Sequence, residues 1–120
     1  MSYAELAKIA ETEFADIVLS SGIESGKLRL FIIDGSFVDV WASQRLERRF
    51  AYHWERRAID GRIYRLDNRP HEELKGMRGF PRHFHDGSDS EVKESQFCEE
   101  PKEALRQFLK FVREKVKLKG

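Results

Sequence analysis

Apolar residues near the two ends of the chain recur at the spacing of a helix. Ser2 and Glu5 form a capping box that starts the first helix, and residues 20–26, rich in serine and glycine, end it. Pro101 suits the first turn of the second helix. The apolar faces are Leu6, Ala10, Phe14, Ile17 and Val18 in the first helix, and Leu105, Phe108, Leu109, Val112 and Val116 in the second. The pattern therefore predicts a helix at each end.

Between the helices, short apolar segments are joined by two turns of similar sequence. Ile33-Asp34-Gly35 and Ile59-Asp60-Gly61 each fit a three-residue hairpin loop in which glycine takes the left-handed conformation. In the first hairpin, a two-residue loop would mix Leu30 with Asp39 on one face, so the three-residue loop is favoured. It collects the aliphatic residues on one face: Leu28, Leu30, Ile32, Val38 and Val40.

In the second hairpin the same loop length separates an aromatic face from a polar face. The aromatic face holds Tyr52, Trp54, Tyr64 and Leu66, and the polar face holds His53, Glu55, Ile63, Arg65 and Asp67. For Tyr52 and Trp54, packing in the core is favoured over stacking on bases. The register pairs His53 with Asp67, whose carboxylate would fix the imidazole tautomer and raise the histidine pKa. A surface ion-pair cluster is the alternative interpretation of the polar face.

A fifth extended segment follows Pro81 and places His83 and His85 on one side. Before it, the turn sequence Asn68-Arg69-Pro70-His71 makes His71 the start of a loop. Together these patterns predict an α+β fold. It has an antiparallel, twisted sheet of about five strands, two consecutive hairpins plus a fifth strand, flanked by an N-terminal and a C-terminal helix. We expect a single domain over residues 1–120.

The composition favours a soluble, cytoplasmic protein. With 40% hydrophobic residues the chain can build one modest core. Its apolar runs are too short to cross a membrane, and no basic segment followed by an apolar stretch indicates a signal peptide. The lone Cys98 fits a reducing compartment.

Charge is distributed unevenly, although the net charge is only +1. Residues 45–82 carry eleven basic and six acidic side chains, a net charge of +5, and ten of the thirteen arginines. All four histidines lie between His53 and His85. Groups that move protons near neutral pH are thus interleaved with groups that bind phosphate, which favours an anionic substrate. The basic segment fits nucleic acid, whereas the near-neutral total charge argues against indiscriminate binding of polyanions. A solvated, charged surface is the alternative.

Several of these segments resemble the TumE-like toxin components of two-gene toxin-antitoxin modules. The likeness rests on Tyr52-His53-Trp54, on Arg65-Leu66-Asp67-Asn68-Arg69-Pro70-His71 and on Phe80-Pro81-Arg82-His83-Phe84-His85. It extends from about Leu28 to the C-terminal helix. The sequence departs from the family pattern at two positions. The family often has a second histidine after the first Pro-His, where this chain has Glu72, and its usual Pro-His-His is Pro81-Arg82-His83 here. The resemblance implies a small toxin that acts on RNA, with a cognate antitoxin encoded by a neighbouring gene.

The resemblance and the histidine and arginine residues together predict an enzyme that cleaves RNA without a metal or cofactor. One histidine would take the proton of the ribose 2′-hydroxyl, and a second would protonate the leaving 5′-oxygen. Arginine would neutralise the pentacoordinate phosphate. The candidate catalytic residues are His71, His85, His53, His83 and Asp67, of which Asp67 would orient an imidazole. The candidate substrate-binding residues are Arg65, Arg69, Arg82 and Asn68.

Two alternatives stay open at this point. His83 and His85, with His71 or Asp86 as a third ligand, would hold a divalent metal in a phosphodiesterase, although the neighbouring arginines disfavour a cation. A non-enzymatic module would instead use its basic region to bind an acidic partner or nucleic acid. We expect no membrane contact, and a homodimer is compatible with the sequence.

Overall fold

The computed structural model describes residues 2–43, 45, 49–68, 83–88, 92–94 and 97–119. Within these residues the chain forms an antiparallel sheet of seven strands in sequential order. The strands are β1 (Val18–Glu24), β2 (Lys27–Ile32), β3 (Phe37–Ala42), β4 (Phe50–Arg56), β5 (Arg62–Asp67), β6 (His83–Gly87) and β7 (Val92–Glu94). The helices are α1 (Tyr3–Glu13), α2 (Arg57–Asp60) and α3 (Pro101–Lys119). None of these described helices has both the length and the apolar character needed to cross a membrane.

The helices α1 and α3 pack on one face of the sheet. Ser2 Oγ caps α1 by accepting the backbone N–H of Glu5 at 3.2 Å, as predicted. Tyr52 Oη donates to the carbonyl oxygen of Pro101 at 2.7 Å and ties the start of α3 to β4. Tyr52 and Trp54 have no exposed surface, which confirms that they pack in the core. The buried helix residues include Leu6, Ala10, Leu105, Phe108, Leu109, Val112 and Val116.

The predicted N-terminal helix is too long. Helix α1 ends at Glu13, and Ile17 and Val18, which we placed on its apolar face, lie beyond it. Val18 begins β1, so the segment predicted to be a helix-ending loop is a strand. Its apolar residues Leu19 and Ile23 are exposed. An outer strand of this kind lacks the alternation that identifies a half-buried strand in a sequence. The short strand β7 is likewise absent from the prediction of about five strands.

The first hairpin, formed by β2 and β3, has the predicted loop and faces. Leu30 pairs with Val38. The N–H of Ile32 donates to the Ser36 carbonyl oxygen at 3.0 Å and encloses a three-residue loop. Gly35, the last residue of that loop, has φ +91°, which a residue with a side chain rarely adopts. The predicted aliphatic face is buried.

The second hairpin, formed by β4 and β5, has the predicted faces but another register. His53 pairs with Arg65, and Asp67 pairs with Ala51, so the predicted pairing of His53 with Asp67 is wrong. The connection is longer than three residues, because α2 forms one helical turn that Gly61 closes at φ +76°. A shift of the pairing by two residues leaves every side chain on the same face. The hydrophobic pattern therefore fits both registers equally well.

A polar network joins the turns of the two hairpins. Arg56, only 3% exposed, places Nη1 2.5 Å from Asp34 Oδ2 and Nε 3.0 Å from Asp60 Oδ2. Asp34 also accepts the hydroxyl of Ser36, and the indole N–H of Trp54 donates to that hydroxyl at 2.8 Å. The network thus stabilises the longer connection and, with it, the β4–β5 register.

Candidate functional site

The polar residues of the candidate site lie on the face of the sheet opposite α1 and α3, which we call the open face. Backbone pairing places Asp39 on β3 opposite His53 on β4. On the other side of that histidine lies Arg65, on β5. His85 pairs with Arg65 on its other side, and Arg29 pairs with Asp39. We call these five residues the histidine row. Because neighbouring strands lie about 4.8 Å apart, the two histidines flank Arg65 directly.

The two arginines of the row are held differently. Arg29 donates two hydrogen bonds to Asp39, of 2.8 and 3.0 Å, and lies 3.8 Å above the ring of Phe37. Towards the described residues, Arg65 donates only from Nε, to Asp67 Oδ2 at 2.9 Å. Asp67 is buried, whereas the side chain of Arg65 is 24% exposed. Within the described residues both Nη groups of Arg65 make no hydrogen bond, so they can donate to an anion.

His53, at the centre of the row, has a lowered pKa. Burial is the largest cause, and the positive charges of Arg65 and Arg57 act in the same direction. Glu55 Oε1 lies 3.1 Å from Nε2 and opposes the shift. Our prediction that a carboxylate would raise this pKa is therefore wrong, because desolvation of the imidazolium outweighs the carboxylate. A pKa below 6.5 makes the neutral imidazole the predominant form at pH 7.

The hydrogen bond to Glu55 determines which nitrogen of His53 carries the proton. Burial acts to raise the pKa of Glu55, but the backbone N–H of Arg57, 2.9 Å from Oε2, and His53 itself hold it below its usual value. An ionised carboxylate only accepts hydrogen bonds, so the neutral ring has its proton on Nε2 and its lone pair on Nδ1. In the described part of the chain, Nδ1 is buried and has no hydrogen-bond partner. A neutral imidazole with an unused lone pair is the form required of a general base.

Asn68 extends the pairing of β4 and β5 by one residue. Its side-chain oxygen accepts the N–H of Phe50 at 2.8 Å, and its own N–H donates to the Phe50 carbonyl at 3.3 Å. Arg49 donates to the carbonyl oxygen of Asn68. These contacts give Asn68 a structural role at the end of β5, beside Asp67.

The structure brings together part of the predicted site. The predicted residues His71, Arg69 and Arg82 lie outside the described residues. His83 is described only by its backbone, which pairs with Asp67. No three histidine, cysteine, aspartate or glutamate side chains among the described residues are grouped to hold a metal ion. The predicted residues assembled on the open face are His53, Arg65, Asp67 and His85.

Arg29 and Asp39 join the row although they are not among the residues predicted for the site. The sequence places both on the face of the first hairpin opposite its aliphatic residues, at opposed positions. Their distance from His53 depends on the register of β3 against β4, which alternation along each strand does not specify. The available signal was the opposite charge of two directly paired residues.

The comparison with protein families covers most of the chain, including every strand of the histidine row. A family model described as Toxin TumE matches residues 6–116. The chain belongs to the TumE toxin family. This confirms the resemblance found in the sequence, and membership in a toxin family implies an antitoxin partner. No curated protein and no solved structure matches the chain.

Proposed function

We propose that this TumE-family toxin cleaves RNA without a metal ion, and that the histidine row is its active site. The observation that carries the proposal is the placement of Arg65 between His53 and His85 on neighbouring strands. Cleavage of RNA needs a base, an acid and a cation around one phosphate. Two imidazoles on either side of a guanidinium can supply all three.

In this proposal Arg65 binds the phosphate that is cleaved. Asp67 holds Nε and orients the guanidinium, while the Nη groups have no partner within the described residues. A guanidinium contacts two phosphate oxygens at once, and such charge-assisted bonds are about twice as strong as neutral ones. The net charge of +5 on residues 45–82 would attract RNA over a longer range. Arg69 and Arg82 would add phosphate contacts.

His53 would be the general base and His85 the general acid. The 2′-oxygen attacks phosphorus while its proton passes to His53, and His85 protonates the 5′-oxygen as its bond to phosphorus breaks. The products are a 2′,3′-cyclic phosphate and a 5′-hydroxyl. Each transfer contributes about 10²- to 10⁴-fold to the rate. Because Nδ1 of His53 is buried, its ring has to shift when RNA binds. His71 and His83 remain candidates for the same roles.

An antitoxin would inhibit the toxin by covering the histidine row and the basic residues around it. Its surface would be acidic, since residues 45–82 are basic. Binding there would exclude RNA from Arg65 and both imidazoles.

The test is cleavage of end-labelled RNA in the presence of EDTA. Wild type is compared with His53→Asn and His85→Asn, and with Lys110→Gln, an exposed position on α3 away from the row. We expect the wild type and the Lys110 variant to cleave equally and to leave cyclic phosphate ends. Each histidine variant should lose at least about 10²-fold in rate while it stays folded at the assay temperature, which thermal unfolding checks.

The other outcomes identify the alternatives. Binding of RNA by the wild type without cleavage would favour the non-enzymatic module. Activity that EDTA abolishes and a divalent ion restores would favour the metal phosphodiesterase. Equal cleavage by all four proteins would remove His53 and His85 from the mechanism.

A further inference from the structure

A cavity of about 270 Å³ opens between the turn of the second hairpin and α3, on the helix side of the sheet. Its lining residues are Arg56, Asp60, Arg62, Tyr64 and Lys115. These supply three positive charges, one negative charge and a phenol. The cavity shares no residue with the histidine row, so it is a separate site.

Two of the cations have no carboxylate partner within the described residues. The guanidinium of Arg62 lies beside Gly87. A Cβ at position 87 would be 3.2 Å from Arg62 Nη1, so the glycine leaves room for the guanidinium. Lys115 Nζ lies 5.4 Å from the ring centroids of both Tyr64 and Phe111. The rings position the ammonium group at the cavity, and no carboxylate of the described residues compensates its charge.

The third cation, Arg56, is almost fully buried. Asp34 and Asp60 bind its Nη1 and Nε, and its Nη2 makes no hydrogen bond within the described residues. That nitrogen is open to the cavity that Arg56 lines, so it can donate to a ligand there. An anion in the cavity would supply the missing acceptor.

We propose that this cavity binds a phosphate group, held by Arg56, Arg62 and Lys115 and by the hydroxyl of Tyr64. Counting Asp34, which also binds Arg56, three cations and two carboxylates leave a net charge of +1, which attracts an anion. Since liquid water occupies about 30 Å³ per molecule, the volume admits a phosphate and part of the group that carries it. The carrier is either a small molecule such as a mononucleotide or the 5′-phosphorylated end of an RNA.

The binding test uses the isotope-labelled full-length chain and follows the amide NMR signals of Arg62 and Gly87. Inorganic phosphate and a 5′-mononucleotide are titrated into the wild type and into Arg62→Gln, Lys115→Gln and Lys110→Gln. We expect saturable shifts of both signals in the wild type. The dissociation constant should rise about tenfold for the Arg62 and Lys115 variants and stay unchanged for the Lys110 variant.

Two RNA oligonucleotides, one with a 5′-phosphate and one with a 5′-hydroxyl, identify the carrier. Tighter binding of the phosphorylated RNA, lost in Lys115→Gln, would assign the site to RNA ends. Stronger binding of the mononucleotide than of either RNA would assign it to a small molecule. The proposal is overturned if neither amide signal moves at millimolar phosphate, or if Lys115→Gln and Lys110→Gln bind alike. The measurement does not depend on RNA cleavage, so it stands or falls separately from the proposed function.

Discussion

The two faces of the sheet are built from the same strands but are held by different forces. On β5, Tyr64 and Leu66 point towards the helices and are 4% and 1% exposed. Arg65, between them in the chain, points to the open face and is paired with Asp67. The helix-covered face is stabilised by apolar area removed from water, which depends little on direction. The open face is stabilised by short, directional polar contacts.

This difference shows which side-chain atoms can still bind a ligand. Apolar residues on the covered face use their surface fully in packing. On the open face, Arg65 keeps unused Nη donors and His53 an unused lone pair within the described residues. Substitutions on the two faces should therefore separate activity from stability, as follows.

Arg65→Gln should have the largest effect, and it should fall on activity. The rate of RNA cleavage is expected to drop by about 10²- to 10³-fold, because the bidentate contact of the guanidinium with the phosphate is lost. The free energy of unfolding should fall by only about 1–3 kcal/mol, since buried Asp67 loses a charged donor. Single-turnover cleavage and urea unfolding measure the two quantities. Arg65→Lys keeps the charge and should recover only part of the rate. Wild-type activity in Arg65→Gln would show that phosphate binds elsewhere.

Leu66→Ala, one residue further, should affect stability alone. Its side chain is buried against the helices, so the free energy of unfolding should fall by about 2–5 kcal/mol. Cleavage per folded molecule should equal that of the wild type. Urea unfolding and an assay well below the unfolding midpoint provide the measurements. Leu66→Met, which conserves volume, serves as the control and should cost less than about 1.5 kcal/mol. Lost activity at full stability would contradict the division between the faces.

The smallest effect concerns the pH dependence of stability. Burial lowers the pKa of His53 in the folded protein below its ordinary value of 6.5, so the unfolded chain binds the proton more tightly. The stability that neutral His53 contributes is complete above pH 6.5 and decreases as the pH falls towards the folded-state pKa. Urea unfolding from about pH 8 to about pH 5 should show this decrease in the wild type and a flatter profile in His53→Gln. Parallel profiles would mean that the imidazole is not desolvated.

The two hairpins show how far the strand pattern predicts the fold. Both turns have the sequence Ile-Asp-Gly, and in both hairpins the alternation predicts the correct faces. In the first, the loop is the predicted three residues. In the second, Asp60 and Gly61 end a helical turn, and Arg56 binds both Asp60 and the distant Asp34. That contact joins residues far apart in the chain, so the local pattern does not contain it.

The candidate site divides in the same way. The sequence predicts the open-face position of His53 and Arg65, but not that they are direct partners. Nor does it predict that Asp39 lies beside the same histidine. The sign of the His53 pKa shift was also missed, because a sequence shows a neighbouring carboxylate but not the depth of burial.

The sequence by itself determined the apolar faces of α3 and of the four central strands, the first hairpin turn and the membership in a toxin family. The tertiary structure decided the pairing of β4 with β5, the strand character of residues 18–24 and the burial of His53. The physical reason is that alternation with a period of two specifies only which face a side chain points to. Its neighbours across the sheet and its exposure to water depend on contacts between distant parts of the chain.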